Sequence, residues 1–288
     1  PEMSVQIIEN QTFDQERALY GSHDLTVRRC AFSGPADGES AFKECSRIAA
    51  EECFFNFRYP LWHVHGLTVR HSEMTELCRA ALWYSDHIAI EDTRLHGIKA
   101  LRECDHAQLT RCDIISPEFG WSSRDVKRSD CDARIEYFFL RGEDLRFDNV
   151  RFQGKYSFQY IKNSVFDHCN FDTKDAFWHS ENVTVRDSVL KGEYLAWYSQ
   201  GLKLIRCKII GTQPLCYCKG LELVDCEMVD ADLCFEKSEV EATVTTPIVS
   251  VKNPRSGVIS APAVGEFIMD DPEAQGKLLL PGGELQRA

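Results

Sequence analysis

The stretch Leu202-Lys203-Leu204-Ile205-Arg206-Cys207 returns 19 residues later as Leu221-Glu222-Leu223-Val224-Asp225-Cys226, with apolar residues and cysteine at the same places. The same period runs through most of the chain. The opening residues of successive units are Leu25, Ile48, Leu67, Ile88, Ala107, Val126, Leu145, Ser164, Val183, Leu202, Leu221 and Val240, and the last eight intervals are all 19 residues. Alternating apolar and polar residues at each opening indicate strands, and a fixed period of this length indicates a solenoid.

Two further apolar columns accompany the openings. Phe139, Phe158 and Phe177 stand six residues before an opening, and residues such as Phe152 and Phe171 stand seven residues after one. Three inward positions in each unit match a coil of three short strands. We therefore predict an all-β fold, a single-stranded right-handed parallel β-helix of about 12 or 13 rungs with three strands per rung. Residues 1–250 are expected to form the β-helix and residues 251–288, where the period is lost, a C-terminal capping segment and tail.

A column five residues after the opening is rich in cysteine. It holds seven of the 13 cysteines: Cys30, Cys53, Cys112, Cys131, Cys169, Cys207 and Cys226. A thiol at the corner of a coil behaves as a small apolar group, so we predict reduced, inward-facing and unreactive side chains. An odd number of buried thiols favours a reducing compartment, and we expect a cytoplasmic protein.

Composition excludes several classes of partner. The net charge of −12 argues against non-specific binding of nucleic acid. The sequence has no apolar run of about 18 residues, so no membrane span is expected. His63 and His65 share one face of a strand and could approach Glu44, but no further ligand is apparent and we predict no metal site. We expect no cofactor.

One polar face is not explained by a core. The residues four before the openings include Glu103, Arg141, Tyr160 and His179, and the column beside them contains all five tryptophans. Because unpaired charges are rarely buried, we predict that this face borders solvent or a cleft. Stacked aromatic residues that only pack on one another are the structural alternative. The residues predicted to bind substrate on this face are Trp62, His63, Trp83, Tyr84, Arg102, Trp121, Trp178, Trp197 and Tyr198.

The candidate catalytic residues are Arg141, Tyr160, His179 and Glu103. Residues of one column lie about 4.8 Å apart on neighbouring rungs, so the first three can converge on one sugar ring. Arginine holds a carboxylate or an oxyanion, whereas tyrosine or histidine moves a proton. Glu103 is the candidate acid or base of a hydrolase. Extra residues in the segments 34–40 and 75–80 are expected to wall the N-terminal half of the cleft.

The repeat also resembles known proteins. Strands such as Val183-Thr184-Val185 followed by a small residue are similar to those of the pectate-lyase-like superfamily of right-handed β-helices. Stretches such as Gly192-Glu193-Tyr194-Leu195-Ala196-Trp197-Tyr198-Ser199 and Phe235-Glu236-Lys237-Ser238-Glu239 more closely resemble an uncharacterised bacterial family of unknown function. This resemblance implies the β-helix fold over nearly the whole chain. Its superfamily relatives are mostly polysaccharide lyases, hydrolases and epimerases.

Two functions are compatible with these observations. The first is a carbohydrate-active enzyme, a hydrolase, lyase or epimerase, that acts inside the cell on an oligosaccharide or sugar acid through the polar and aromatic cleft. The second is a non-catalytic saccharide-binding or scaffold protein, in which the aromatic stripe is the interface of a homo-oligomer.

Overall fold

All the opening residues except Leu202 lie in strands, and these strands pair with the strand one unit away. Leu25 pairs with Ile48, Ile48 with Leu67 and Leu67 with Ile88, all in parallel. The computed structural model describes residues 5–35, 39–282 and 285–286. It is a parallel β-solenoid of about 14 turns spaced about 19 residues apart, and its described residues form no helix. The predicted all-β solenoid is confirmed.

The chain divides into two compact units, residues 1–146 and 147–288. In the first unit, odd-numbered strands form one parallel sheet and even-numbered strands a second. The strands are β1 (Gln6–Glu9), β2 (Thr12–Phe13), β3 (His23–Arg28), β4 (Ala31–Phe32), β5 (Lys43–Glu51), β6 (Phe54–Phe55), β7 (Trp62–Arg70), β8 (Glu73–Met74), β9 (Asp86–Glu91), β10 (Arg94–Leu95), β11 (Asp105–Thr110), β12 (Asp113–Ile115), β13 (Arg124–Ser129) and β14 (Asp132–Glu136). The boundary between the units lies within β15 (Glu143–Asp148).

The strands of the second unit also pair in parallel from coil to coil. Its strands are β16 (Arg151–Lys155), β17 (Lys162–Asp167), β18 (Asn170–Lys174), β19 (Glu181–Arg186), β20 (Val189–Lys191), β21 (Lys203–Ile205), β22 (Lys208–Ile210), β23 (Leu221–Val229), β24 (Val240–Val244), β25 (Ile248–Lys252), β26 (Val258–Ser260), β27 (Val264–Ile268), β28 (Lys277–Leu279) and β29 (Leu285–Gln286). Strands β24, β26 and β28 pair in parallel, and β29 pairs antiparallel to β28. The turn count exceeds the predicted 12 or 13 because parallel pairing continues into the segment expected to be a cap.

The third side of most coils differs from the predicted strand and consists of turns, with a few isolated bridges such as Arg79 to Ile98. Strands β5 and β7 are exceptions, because they extend onto this side and pair there from Lys43 and Trp62 onwards. In the coils that open from Leu25 to Leu221, the residues six and four before the opening have left-handed backbones, as in Phe139 (φ 54°) and Arg141 (φ 57°). Such residues curl the backbone and interrupt the extended pleat. Backbone hydrogen bonds still join successive coils on this side, for example from the Phe139 N–H to the Phe119 carbonyl at 2.8 Å.

The interior contains the predicted apolar columns. Phe32 and Phe55 stack with ring centroids 5.0 Å apart, and Leu61, Leu82 and Leu101 are fully buried. Each such contact removes apolar surface from water, which is the main stabilising contribution to a solenoid whose coils cannot fold alone.

The cysteine column faces inward, as predicted. All 13 cysteines of the sequence are buried free thiols. Burial raises the pKa of Cys53 to about 11 and that of Cys104 to about 12, which keeps these thiols protonated and weakly nucleophilic. Their lack of reactivity and the cytoplasmic location stay predictions. No helix of the described residues is long and apolar enough to cross a membrane.

Two thiols of the column, Cys131 and Cys226, depart from this pattern because a hydrogen bond with the cysteine of the preceding coil lowers the pKa of each. Arg128 is buried at the coil position that Leu109 holds in the preceding coil. Its guanidinium carbon lies 4.8 Å from the ring centroid of Phe138. A hydrogen bond with Cys112 and the charge of Arg128 lower the pKa of Cys131. Cys131 is therefore the least inert member of the column.

The second unit contains a buried carboxyl group. Asp175 is only 9% exposed, and its Oδ1 has no hydrogen-bond partner among the described residues. Burial raises the pKa of Asp175, although the charge of Lys174 opposes this. Because the folded-state pKa is raised, the protonated form stabilises the fold at low pH, and this contribution is lost as the pH rises above about 4 towards and through the folded-state pKa.

We expect Asp175→Asn to reduce the loss of stability between pH 4 and pH 8, since the amide stays neutral throughout. Thermal unfolding followed by circular dichroism at both pH values measures the difference. Asp172→Asn, at an exposed aspartate of β18 three residues before Asp175, is the matched control. An identical pH dependence in Asp175→Asn and the wild type would contradict the assignment.

Candidate functional site

The third side of the coils places two columns of site residues at the surface. Left-handed backbones at positions six and four before the opening turn the first residue into the core and the second outwards. Phe139 is thus buried and Arg141 exposed in one coil, and Phe177 is buried and His179 exposed in another. The sequence predicts that the charged column is exposed, and Glu103, Arg141, Tyr160 and His179 are all exposed in the structure.

The tryptophans beside this column are half-buried and have a structural role that the sequence does not reveal. The indole N–H of Trp178 donates to the Tyr194 carbonyl at 2.6 Å, and that of Trp197 to the Gln213 carbonyl at 2.8 Å. Trp83 and Trp121 make the same bond to Lys99 and Tyr137. The polar end of each of these rings is therefore used by the backbone of the next coil, and it is not available to a ligand.

In the first unit, the side chains of this face form a mixed stack. Trp62 and Trp83 stack with centroids 5.0 Å apart, and the Arg102 guanidinium lies 4.9 Å from the rings of both Trp83 and Trp121. In the outer column, His63 contacts Tyr84 edge-on at 5.2 Å. His63 Nδ1 also lies 3.4 Å from Glu44.

In the second unit, the outer column is a ladder of parallel rings. Tyr160 and His179 lie 4.8 Å apart, His179 and Tyr198 5.0 Å, and Tyr198 and Tyr217 4.9 Å. Trp178 and Trp197 stack beside them at 5.1 Å. Ring faces in such a ladder cover one another, so mainly edges and polar atoms face solvent. Tyr160 and Tyr198 are each 45% exposed.

The predicted catalytic residues are thus distributed between the units. Tyr160 and His179 are brought into contact in the second unit, whereas Glu103 and Arg141 belong to the first. Their catalytic roles stay predictions.

A pocket of about 310 Å³ lies at the N-terminal end of the aromatic face in the first unit. Its lining residues are Glu16, Arg17, Glu39, Ser40, Lys43, Tyr59 and Trp62. We call it the Trp62 pocket. Glu39 and Ser40 come from the longer segment 34–40, of which residues 36–38 are outside the described residues. Of the residues nominated from sequence, Trp62 alone lines this pocket.

Sequence reasoning did not nominate Arg17, Lys43 and Tyr59. The Lys43 ammonium lies 5.8 Å from the Trp62 ring centroid, on the side of the coil before it, and Tyr59 meets the Trp62 ring edge-on at 6.0 Å. The signal that could have identified Lys43 is its place in the tryptophan column one coil before Trp62.

Three solved structures are similar to this chain, with low identity. They are PfbA, a surface adhesin of Streptococcus pneumoniae (6% identity, 92% of this chain and 87% of that chain, TM-score 0.47), a mutant tailspike protein of an E. coli bacteriophage in complex with a hexasaccharide (7%, 89% and 61%, TM-score 0.44), and the catalytic domain of a GH87 alpha-1,3-glucanase in complex with nigerose (10%, 94% and 63%, TM-score 0.34). TM-scores below 0.5 support no inference about function.

No curated protein matches the sequence. Residues 6–279 match a family model described as a protein of unknown function. The match covers nearly all of the solenoid, including the Trp62 pocket and both sheets. The chain therefore belongs to the DUF3737 family of proteins of unknown function.

Proposed function

We propose that the protein binds a saccharide that carries a carboxylate, and that the sugar lies in the Trp62 pocket. The observation that carries the proposal is the combination of an indole face with two cationic side chains in one cavity. Its volume of about 310 Å³ lies at the lower end of the range for small-molecule sites, about 300–1,000 Å³.

The sugar ring and the carboxylate of the ligand would contact different side chains of the pocket. The apolar C–H face of a sugar ring packs on an aromatic ring, and Trp62 is a half-buried indole with one face covered by Trp83 and the other towards Lys43. Lys43 and Arg17 supply the cations that hold a carboxylate. The wall also carries two carboxylates: Glu39 is paired with Arg58, and Glu16 lies 3.9 Å from the Arg17 guanidinium, so Lys43 is the cation of the lining that has no carboxylate partner among the described residues.

The proposal also includes a reaction on the bound saccharide. A hydrolase, a lyase or an epimerase would each require the sugar to be held first, and Glu103, Arg141, Tyr160 and His179 remain the residues proposed to move protons or bind an oxyanion.

We expect Trp62→Ala and Tyr59→Ala to weaken binding of trigalacturonate at least tenfold, because each removes one wall of the pocket. Isothermal titration calorimetry gives the affinities. Tyr137→Ala is the matched control, because Tyr137 occupies the same coil position as Tyr59 but lies outside the pocket. Lys43→Met should weaken trigalacturonate more than neutral maltotriose. Wild-type affinity in both Trp62→Ala and Tyr59→Ala would contradict the proposed site.

A second candidate is an interface built on the ladder of the second unit. The observation in its favour is that the rings of Tyr160, His179 and Tyr198 offer exposed edges and no free face between them, which suits a protein contact better than a sugar. A single-chain mass in light scattering at high concentration would exclude this candidate.

A further inference from the structure

A second cavity, of about 560 Å³, lies on the outer face of the first sheet in the first unit. It shares no lining residue with the Trp62 pocket. Its floor consists of the residues directly after the openings, which point outwards and are small: Thr26, Ala49, Thr68 and Ala89. At the same position in the next two coils, Gln108 and Lys127 are longer and close that end of the groove.

One wall of the groove is made by the residues directly before the openings. They are Asp24, Arg47, Gly66, His87, His106 and Asp125. Every one has a left-handed backbone, from φ 51° at Asp125 to φ 81° at Gly66. Gly66 has no side chain and leaves a gap in the middle of the wall.

Carboxylate partners hold the polar groups of this wall in place. Arg47 forms two hydrogen bonds with Asp24, one of them 3.0 Å from Nη2 to Oδ2. His87 Nδ1 lies 2.9 Å from Asp86, and His106 Nδ1 contacts Asp125. The hydrogen bond with Arg47 lowers the pKa of Asp24, and the bond with Asp125 raises the pKa of His106. These groups are therefore fixed before any ligand arrives, which reduces the entropy that binding costs.

Polar side chains of the wall recur at every coil except that of Gly66. Because Nδ1 of His87 and of His106 already bonds to a carboxylate, each imidazole has its second ring nitrogen left for a hydroxyl group of a ligand, and the Arg47 guanidinium keeps N–H donors beyond the two that bond to Asp24. The His87 and His106 rings lie side by side, with centroids 4.9 Å apart. Asp24 and Asp125 are five coils apart, about 24 Å at the spacing of about 4.8 Å per coil. The spacing of about 4.8 Å between neighbouring coils is comparable to the length of one sugar residue.

We propose that this groove is a second binding site, for a neutral oligosaccharide that lies along the solenoid axis with about one sugar per coil. A neutral ligand is favoured over an anionic one because Arg47 is paired with Asp24, and His87 and His106 each contact an aspartate, so every basic side chain of this wall already has a carboxylate partner. The inference does not depend on the Trp62 pocket.

The test uses maltohexaose, cellohexaose and laminarihexaose as neutral probes in isothermal titration calorimetry of the full chain. We expect at least one of them to bind, and Thr68→Phe, which fills the floor, to weaken that binding at least tenfold. Thr184→Phe is the matched control, since Thr184 has the same coil position in the second unit and is half-buried, as Thr68 is. His106→Gln should also weaken binding, by several fold.

The two sites are distinguished by their variants. Trp62→Ala should leave neutral hexasaccharide binding unchanged, and Thr68→Phe should leave trigalacturonate binding unchanged. The proposal is overturned if none of the three probes binds the wild type, or if Thr68→Phe binds as well as Thr184→Phe does. A wild type that binds a neutral hexasaccharide but not trigalacturonate would count against the Trp62 pocket and not against the groove.

Discussion

Replacement of Phe158 by alanine is expected to lower the free energy of unfolding by about 3–5 kcal/mol. Phe158 is fully buried in the second unit, where its ring lies 5.0 Å from Phe166 and 5.1 Å from both Phe171 and Phe177. Truncation removes the apolar ring from this cluster and leaves a cavity that the paired strands of adjacent coils cannot close.

Urea unfolding followed by circular dichroism and by fluorescence measures this loss. Phe158→Leu is the control, because it keeps most of the apolar volume and should cost less than half as much as alanine. A loss below about 1 kcal/mol in Phe158→Ala would mean that the ring does not sit in a close-packed core.

Replacement of Gly192 by alanine is expected to cost at least about 3 kcal/mol. Gly192 has φ 143°, a backbone conformation that residues with a side chain rarely adopt. A Cβ at this position would lie 1.9 Å from the Thr173 carbonyl oxygen of the preceding coil. The contact is with backbone, so relief requires the two coils to separate and the Gly192 N–H bond to the Ile210 carbonyl to weaken.

Gly201→Ala separates the clash from the backbone effect. Gly201 has φ 66°, and the nearest atom to its Cβ position would be 3.7 Å away. We expect a cost of only about 1 kcal/mol there. Asn163 and Asn182 hold the same coil position with φ 52° and 53°, so Gly201→Asn should be close to neutral. Equal melting temperatures for Gly192→Ala and Gly201→Ala would contradict the close approach of the coils at Gly192.

The sequence alone determines the solenoid and its core. A period of 19 residues brings equivalent positions onto neighbouring coils, and parallel pairing in register follows because a shift by one residue would turn the buried columns outwards. Phe158 and Phe177 are predicted to stack for this reason, and the cysteine column is predicted to face inward. The outward direction of Arg141 and His179 follows from the cost of burying charge.

The tertiary structure alone decides what the polar face can bind. Left-handed backbones at residues such as Phe139 and Arg141 are not part of the hydrophobic pattern, so the sequence predicts a strand on the third side where most coils have turns. The indole bond from Trp178 to the next coil, and the covering of each ring face in the ladder from Tyr160 to Tyr217, depend on side-chain packing between coils.

The repeat does not predict the two cavities, for the same reason. A periodic pattern shows which residues share a column, but a cavity forms where columns meet and side chains are short or segments are long. The groove exists because Ala49 and Ala89 leave space beside His87 and His106, and the Trp62 pocket because Lys43, Tyr59 and Trp62 meet the segment that ends at Ser40. These are contacts between columns, and only the folded chain specifies them.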